Sequence, residues 1–399
     1  MPLTSGPVTF CRFRVLGDAP KMVDDTFLQL LAEHRFRETE IGTPDDVEAG
    51  FVTPEHLLDT KFSFEKIGYS GVALFALRLD THKVPGEIKK AYQRINEQAA
   101  AEGSPTGFAS KSEKRDARDL AGRQLQEELA NGRFRKSKHI RVMWDFEEGV
   151  IYSESCTDAV TQQLVRLLRT AFAVQLEPIT AGTFAGFELD SMGRSRDYED
   201  LAPSKFTPPP TDVADRGGDH DHSTPICPWV TKSIDLKDFL GNEFLLWLWH
   251  GCETCEGITP IGDDGDEAFA TITKSIQMDC AWEIGGKVTI NVDKPTALTE
   301  TGDALRTGKW PRKMGLLLSD GEHHYELTIQ GDQIVVNSAR LPDIEDAMTD
   351  RDVTEQRLRH IRRLAGTLDA MFLAFLKLRV SQGWDREVAD IREWIKSRQ

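Results

Sequence analysis

Residues 139–180 read HIRVMWDFEEGVIYSESCTDAVTQQLVRLLRTAFAVQLEPIT. Residues 140–146 form a strand-like apolar run, the Glu147-Glu148-Gly149 triplet supplies a turn, and Val150, Ile151 and Tyr152 begin the return strand. Thr157 is placed to cap a helix in which Val160, Leu164, Leu167, Leu168 and Ala171 recur on one face. Residues 174–178 then resume a strand pattern. A strand-strand-helix-strand order of this kind belongs to the α+β class, with helices packed on one face of antiparallel sheets.

Upstream, residues 8–15 alternate Val8, Phe10, Arg12 and Arg14 against Thr9, Cys11, Phe13 and Val15, as a strand does. Asp24 or Asp25 can cap a helix carrying Phe27, Leu30 and Leu31. Residues 71–79 predict another strand. Pro85 then opens a helix with Ile88, Ala91, Tyr92 and Ile95, and a polar stretch at 104–112 separates it from a second helical pattern. Together these predict an N-terminal α+β lobe over 1–189 with a basic helical tip at about 83–141. Residues 190–225 are rich in Asp, Ser, Gly and Pro, which predicts a flexible linker or surface excursion.

Residues 226–399 form the expected C-terminal lobe. Asp235 can cap a helix through Phe239, Leu240, Phe244 and Trp247, and strands are expected at 271–282, 287–292, 314–318, 325–329 and 334–336. A long closing helix spans about 354–380. In it Leu358, Ile361, Ala365, Leu368, Phe372 and Phe375 repeat at alternating steps of three and four. That seam suits one helix face against its own core better than an intermolecular zipper.

The 399 residues carry 49 basic and 65 acidic side chains, a formal net charge of −16. No apolar run approaches the roughly 18 residues of a membrane span, and Arg12, Arg14 and Asp18 interrupt any leader-like stretch. Six scattered cysteines predict free thiols in a reducing, cytoplasmic setting.

The strongest local signal is electrostatic. Lys111, Lys114, Arg115, Arg118, Arg123, Arg133, Arg135, Lys136, Lys138 and Arg141 face only five acids over 111–141, and none over 133–141, where Phe134 is expected as an exposed aromatic. Such a stretch neutralises phosphates without reading base edges, although a solvated basic helix and turn would look the same. A second run, Arg351, Arg357, Arg359, Arg362 and Arg363, accompanies the closing helix; it could pair with nearby acids or join a groove together with Lys309, Arg312 and Lys313.

Catalytic signatures are weaker. His250-x-Cys252-x-x-Cys255 has metal-ligand spacing, but its candidate second pair, in His220-Asp221-His222, lies in the expected linker. Nucleotide-binding, hydrolase and zincin motifs are missing, and the acidic string at 263–266 lacks the order of a calcium loop. Asp320, Glu322 and Glu326 fit a solvated hairpin better than a metal-dependent nuclease. No catalytic residue, metal or cofactor is expected.

The order of these features resembles the recombination-associated DNA-binding protein RdgC family. It comprises Pro85-x-x-Ile88 opening a helix, the basic helix at 111–129, Arg133-Phe134-Arg135, the strand Val142-Met143-Trp144-Asp145, the segment 149–168, and Ala370-Met371-Phe372-Leu373 in a closing helix. The resemblance is good over 8–180 and weak over 228–380. It implies a multi-lobed, horseshoe-like protein of the bacterial nucleoid that acts as a ring-shaped homodimer. Such a protein would bind double-stranded DNA with little sequence preference, restrain a recombinase filament, and carry no enzymatic activity.

On this reading Phe134 is the tip aromatic, with Arg133, Arg135, Lys136 and Lys138 beside it. Lys111, Lys114, Arg115, Arg118 and Arg123 become candidates for the inner wall, and Arg141 completes the basic set. Residues 190–225 and 252–266 enlarge the part beyond the first lobe relative to compact members. Two other classes stand as alternatives: a metal-dependent nuclease of recombination intermediates, and a protein-interaction scaffold.

Overall fold

The computed structural model describes residues 3–38, 47–104, 107–210, 224–260, 267–282 and 286–398. In chain order the elements are β1 (Val8–Leu16), α1 (Asp25–Glu33), β2 (Val47–Val52), α2 (Phe64–Ile67), β3 (Gly68–Tyr69), β4 (Val72–His82), α3 (Gly86–Glu102) and α4 (Lys111–Ala130). Next come β5 (Arg135–Asp145), β6 (Val150–Ser153), α5 (Asp158–Phe172), β7 (Gln175–Pro178), α6 (Ala181–Ser191), α7 (Ser195–Asp200), α8 (Phe239–Thr254) and β8 (Ile258–Pro260). The chain ends with β9 (Glu267–Cys280), β10 (Lys287–Asn291), α9 (Thr299–Arg306), β11 (Lys309–Ser319), β12 (His324–Gln330), β13 (Val335–Arg340), α10 (Asp350–Arg379) and α11 (Trp384–Ser397). Both compact units of the chain are α+β with antiparallel strands, but they do not follow the expected division at 189 and 226. One unit comprises residues 1–15, 150–156 and 176–399, and the other residues 16–149 and 157–175.

The second of these units is built on the ladder β5-β4-β2, with β3 also on β4. Its apolar face follows from strand alternation: Trp144 pairs with Ala73, Val142 with Phe75, Ile140 with Leu77, and Leu77 with Phe51. Helices α1 and α5 cover that face. Asp24 caps α1 by accepting from the Phe27 amide at 2.8 Å, and Phe27 and Phe172 meet at 4.9 Å, with Trp144 at 5.9 and 5.3 Å from them. This aromatic cluster is the core that residues 139–180 foretell.

The larger unit carries the strand order β10-β9-β11-β12-β13-β1-β6, with β8 on β9 and β7 on β1. Strand β9 alternates buried and outward residues along its length, except at a bulge where Lys274 takes φ 62°. There β11 must come close: a Cβ on Gly315 would sit 2.1 Å from the Thr273 carbonyl oxygen, so only glycine fits. A similar constraint joins α8 to the β12–β13 turn, where a Cβ on Gly241 would stand 2.0 Å from the Gly331 oxygen.

The closing helix begins four residues earlier than expected. Thr349 and Asp352 form a capping box there, with the Asp352 amide donating to Thr349 Oγ1 at 3.1 Å. All six seam residues are buried within the unit. Phe372 packs on Phe184 at 5.5 Å and on Phe244 at 5.3 Å, and Phe375 packs on Trp384 of α11 at 5.6 Å. The seam therefore serves its own core, and the chain does not close on it, because α11 follows.

Residues 190–210 correct the linker reading. The chain is helical in α6 and α7, and then Leu201, Ser204, Phe206 and Thr207 are buried. Glu243, fully buried in α8, accepts from the Ser204 amide and from Arg379, both at 2.6 Å, and Trp384 Nε1 donates to Ser204 Oγ at 2.9 Å. Composition hid this because two large apolar residues, Leu201 and Phe206, anchor a stretch that is otherwise small and polar. The rest of the expected linker, 211–223, lies outside the described residues. Asp235 does not cap α8 either; Asp238 precedes it, while Asp235 accepts from the Tyr198 hydroxyl at 2.6 Å.

Strand β1 is tied to α10 by an ion pair. Arg12, 4% exposed, donates from both terminal nitrogens to Asp369 at 2.5 and 2.6 Å. Removing one partner of such a pair leaves a buried charge uncompensated, whereas replacing both with apolar residues does not. Asp369→Ala is expected to destabilise this unit by about 3 kcal/mol in urea melts followed by tryptophan fluorescence. The double variant Arg12→Met, Asp369→Leu should recover most of that loss.

Candidate nucleic-acid interface

Strands β4 and β5 pair up to the rung His82↔Arg135. Beyond it the chain leaves the sheet, forms α3 and α4, and returns. Pro85 stands at the α3 N-cap, and a capping box starts α4, with Ser110 accepting from the Glu113 amide while Glu113 accepts from the Ser110 amide. The two helices pack on each other thinly. Helix α3 buries no side chain, and α4 buries only Ala117, Ala121 and Leu125. Polar bonds do much of the joining: Asn96 Nδ2 donates to the Ala117 oxygen at 3.4 Å and to Gln124 Oε1 at 3.2 Å, and the Tyr92 hydroxyl donates to Glu128 at 2.6 Å.

Within α4 the charges segregate. Lys111, Lys114, Arg115 and Arg118 fall at i, i+3, i+4 and i+7, which places them on one helical face. Glu113, Asp116 and Glu127 occupy the opposite side, Asp119 borders the stripe one turn after Arg115, and Arg123 stands exposed among these acids rather than on the cationic stripe. Arg118 lies 3.7 Å from Glu97 of α3. Lys111, Lys114 and Arg115 are exposed and have no side-chain partner among the described residues. Lys111 and Lys114 also lie in the first turn of the helix, where the macrodipole disfavours positive charge by about 0.3–1 kcal/mol each. Helix stability therefore does not account for them.

The triplet Arg133-Phe134-Arg135 is not a tip. It lies where α4 returns to the sheet, at the root of the hairpin; the far end is the connection between α3 and α4. The reason is the ladder, which pairs Arg135 with His82 at the end of β4. Arg133 pairs with Glu128 and approaches the Tyr92 hydroxyl at 3.5 Å. Phe134 is half-buried rather than exposed, with the Arg133 guanidinium 5.9 Å from its ring centre.

Arg135 joins a structural ion network. It lies 3.1 Å from Glu38 and 3.8 Å from Asp80, which also hold Arg78 at 2.8 and 2.7 Å. Burial works against the Asp80 carboxylate, but hydrogen bonds from Arg78 and Ser137 outweigh it and hold the group below the usual range. Arg141 donates from Nε to the Pro54 oxygen at 2.9 Å, and His139 Nε2 lies 2.9 Å from the Thr53 oxygen. Alternation turns Lys136 and Lys138 to the opposite face from Arg135 and Arg141. Both lysines are exposed, and neither ammonium has a partner among the described residues.

The eleven sequence candidates thus divide into the α4 stripe, a two-lysine extension of β5, a set engaged within the fold, and Arg123, which stands apart on the acidic side of α4. Lys83, Lys89 and Arg94 add exposed cations at the start of the same hairpin; their basic character was the available signal.

The second basic run is largely engaged in the larger unit. Arg363 pairs with Asp320 and Glu322, both at 2.5 Å, and Arg357 donates to the Gly6 oxygen at 2.6 Å. Glu326 is held by Arg340 at 3.5 Å and by Lys274. These carboxylates are thus matched by cations. His250 Nδ1 lies 3.2 Å from Glu387, and the Cys252 thiol donates to the Ala270 oxygen at 3.1 Å. The expected second pair at 220–222 and the acidic string at 263–266 lie outside the described residues. Among the described residues no group of three or more His, Cys, Asp or Glu side chains is arranged to hold a metal ion, and no helix is long and apolar enough to cross a membrane.

Thin packing predicts that the hairpin opens locally before its sheet does. Hydrogen exchange is expected to strip protection from amides at 86–130 ahead of those at 72–82 and 135–145; equal protection would show a firmer hairpin than its contacts imply. No family model matches the chain, and no curated protein matches it.

Proposed function

We propose that this chain binds double-stranded DNA through phosphate contacts, without reading base sequence and without a catalytic step of its own. The cationic face of α4 carries the reading. Lys111, Lys114 and Arg115 are exposed and unpaired among the described residues, the first two in a helix turn that disfavours positive charge, in a chain of net charge −16. Long flexible cations of this kind suit phosphate oxygens, and their binding is driven by counterion release. Lys136 and Lys138 extend the basic surface of the same unit.

The acidic remainder keeps the molecule from acting as an indiscriminate polycation. The homodimer, its ring around the duplex and its restraint of a recombinase filament enter the proposal through the resemblance to RdgC. A ring would let the protein stay on DNA longer than phosphate contacts alone permit.

Binding to two unrelated duplexes across a salt series tests this. Changing Lys111, Lys114, Arg115 and Lys138 to Ala should weaken both complexes alike and flatten the salt slope by about 3 to 4, near 0.9 for each lost contact. Unchanged affinity in a variant with native circular dichroism would remove the stripe from the function. Slower release from a duplex with blocked ends would support encirclement, and equal release would favour an open groove.

A further inference from the structure

All six cysteines belong to the larger unit and are free thiols, but their surroundings differ. Cys227 and Cys280 are buried. Cys252 is engaged with the Ala270 oxygen, and burial pushes its thiol up to about 12. Cys255 is exposed, with the Thr254 hydroxyl at 3.6 Å. Cys11 and Cys156 form a distinct arrangement. The β1–β6 register sets Cys11 opposite Ser153, three residues before Cys156. The Cys11 thiol donates to the Ser153 oxygen at 3.9 Å and to the Ser155 oxygen at 3.6 Å; Ser155 directly precedes Cys156, and the two thiols are close enough to act on each other. Cys11 is buried on β1, while Cys156 is half-buried in the segment that leaves β6.

We propose that Cys156 and Cys11 are an oxidation site for hydroperoxides, with Cys156 as the attacking thiolate and Cys11 as the thiol that resolves the product. Accessibility divides these roles: Cys156 is half-buried and can meet a solute, whereas Cys11 is buried on β1 beside it. The hydrogen bond from Cys11 holds the Cys156 thiol below its ordinary range; burial opposes this, and the charge of Lys313 assists it. The same hydrogen bond, together with burial, raises the Cys11 thiol. Cys227 and Cys252 are buried thiols pushed upward without such a partner, which makes them poor nucleophiles.

In the first step the Cys156 sulfur attacks the terminal oxygen of the hydroperoxide. A sulfur–oxygen bond forms and the oxygen–oxygen bond breaks. Sulfur gives up two electrons, and the other oxygen leaves as the alcohol, or as water from hydrogen peroxide, after taking a proton. In the second step the Cys11 sulfur attacks the Cys156 sulfenic acid. The disulfide forms, the sulfur–oxygen bond breaks, and the departing hydroxide takes the Cys11 proton to leave as water. The sum is two thiols and one hydroperoxide giving one disulfide, one alcohol and one water. The product ties β1 to the chain that leaves β6, beside the rungs that already join them. This inference does not depend on DNA binding.

Treating the reduced full-length chain with one equivalent of hydrogen peroxide tests it. The intact mass should fall by two hydrogens, and peptide mapping should link Cys11 to Cys156. In Cys11→Ser, oxidation should stop at a sulfenic acid on Cys156 that dimedone captures; in Cys156→Ser neither product should form. A bond mapped to any other pair, or a folded wild-type chain that forms none, would overturn the proposal. Alkylation of the unmodified protein gives a second check that needs no variant. Cys156 should react with iodoacetamide faster than the more exposed Cys255, and slower reaction would remove Cys156 as the nucleophile.

Discussion

The buried guanidinium of Arg12 is the fixed point of the larger unit. It sits on β1, which hydrogen-bonds to β13 along one edge and to β6 along the other, and it reaches Asp369 of α10. A charge so placed is unfavourable unless its partner is present with the right geometry, which couples the stability of β1 to that of α10. The chain order of the units follows. Residues 11–14 and 150–153 are rungs of one ladder, and the chain between them, over 16–149, folds as the bulk of a separate unit. A discontinuous unit of this kind is closed by long-range contacts, which makes it slow to assemble from local structure alone.

Charge is distributed by a related logic. Many arginines that look available in the sequence have partners in the fold: Arg78 with Asp80, Arg312 with Asp332, Arg363 with Asp320, and Arg379 with Glu243. Guanidinium suits this work because its planar fork satisfies a carboxylate or carbonyl pair while burying its stem. The exposed cations left over are enriched in lysine, at Lys111, Lys114, Lys136 and Lys138, with Arg115 among them. Lysine is well hydrated and flexible, and it contributes little to a surface ion pair. The contrast between the two sets separates structural positives from those open to a polyanion. The helical hairpin that carries Lys111, Lys114 and Arg115 is thinly packed, which lets it adapt to a surface without disturbing the sheet.

Residues separated by a few positions were readable. The α+β class, the strand beginning at Val8, the α4 helix, the seam of α10 and the helix after Thr157 follow from spacing, because such patterns arise between neighbours in the chain; Thr157 holds the N-cap position there, but its side chain makes no capping bond. The α4 stripe was equally legible, since its spacing needs only the helix. Strand β2 and helices α6 and α11 escaped that reading. The packed stretch around Leu201 and Phe206 escaped it too, because two apolar residues in a polar run say little until Glu243, Arg379 and Trp384 are brought to them.

By itself the sequence determined the element types, the acidic balance and the place where cations concentrate. Only the tertiary structure decided which of those cations remain open, because the partners that occupy them are remote: Glu38 lies 97 residues before Arg135, and Asp320 lies 43 before Arg363. The same holds for the insertion of one unit into another and for the meeting of Cys11 with Cys156. Local patterns record the conformation of neighbouring residues, whereas ion pairing, burial and thiol reactivity depend on contacts made across the folded chain.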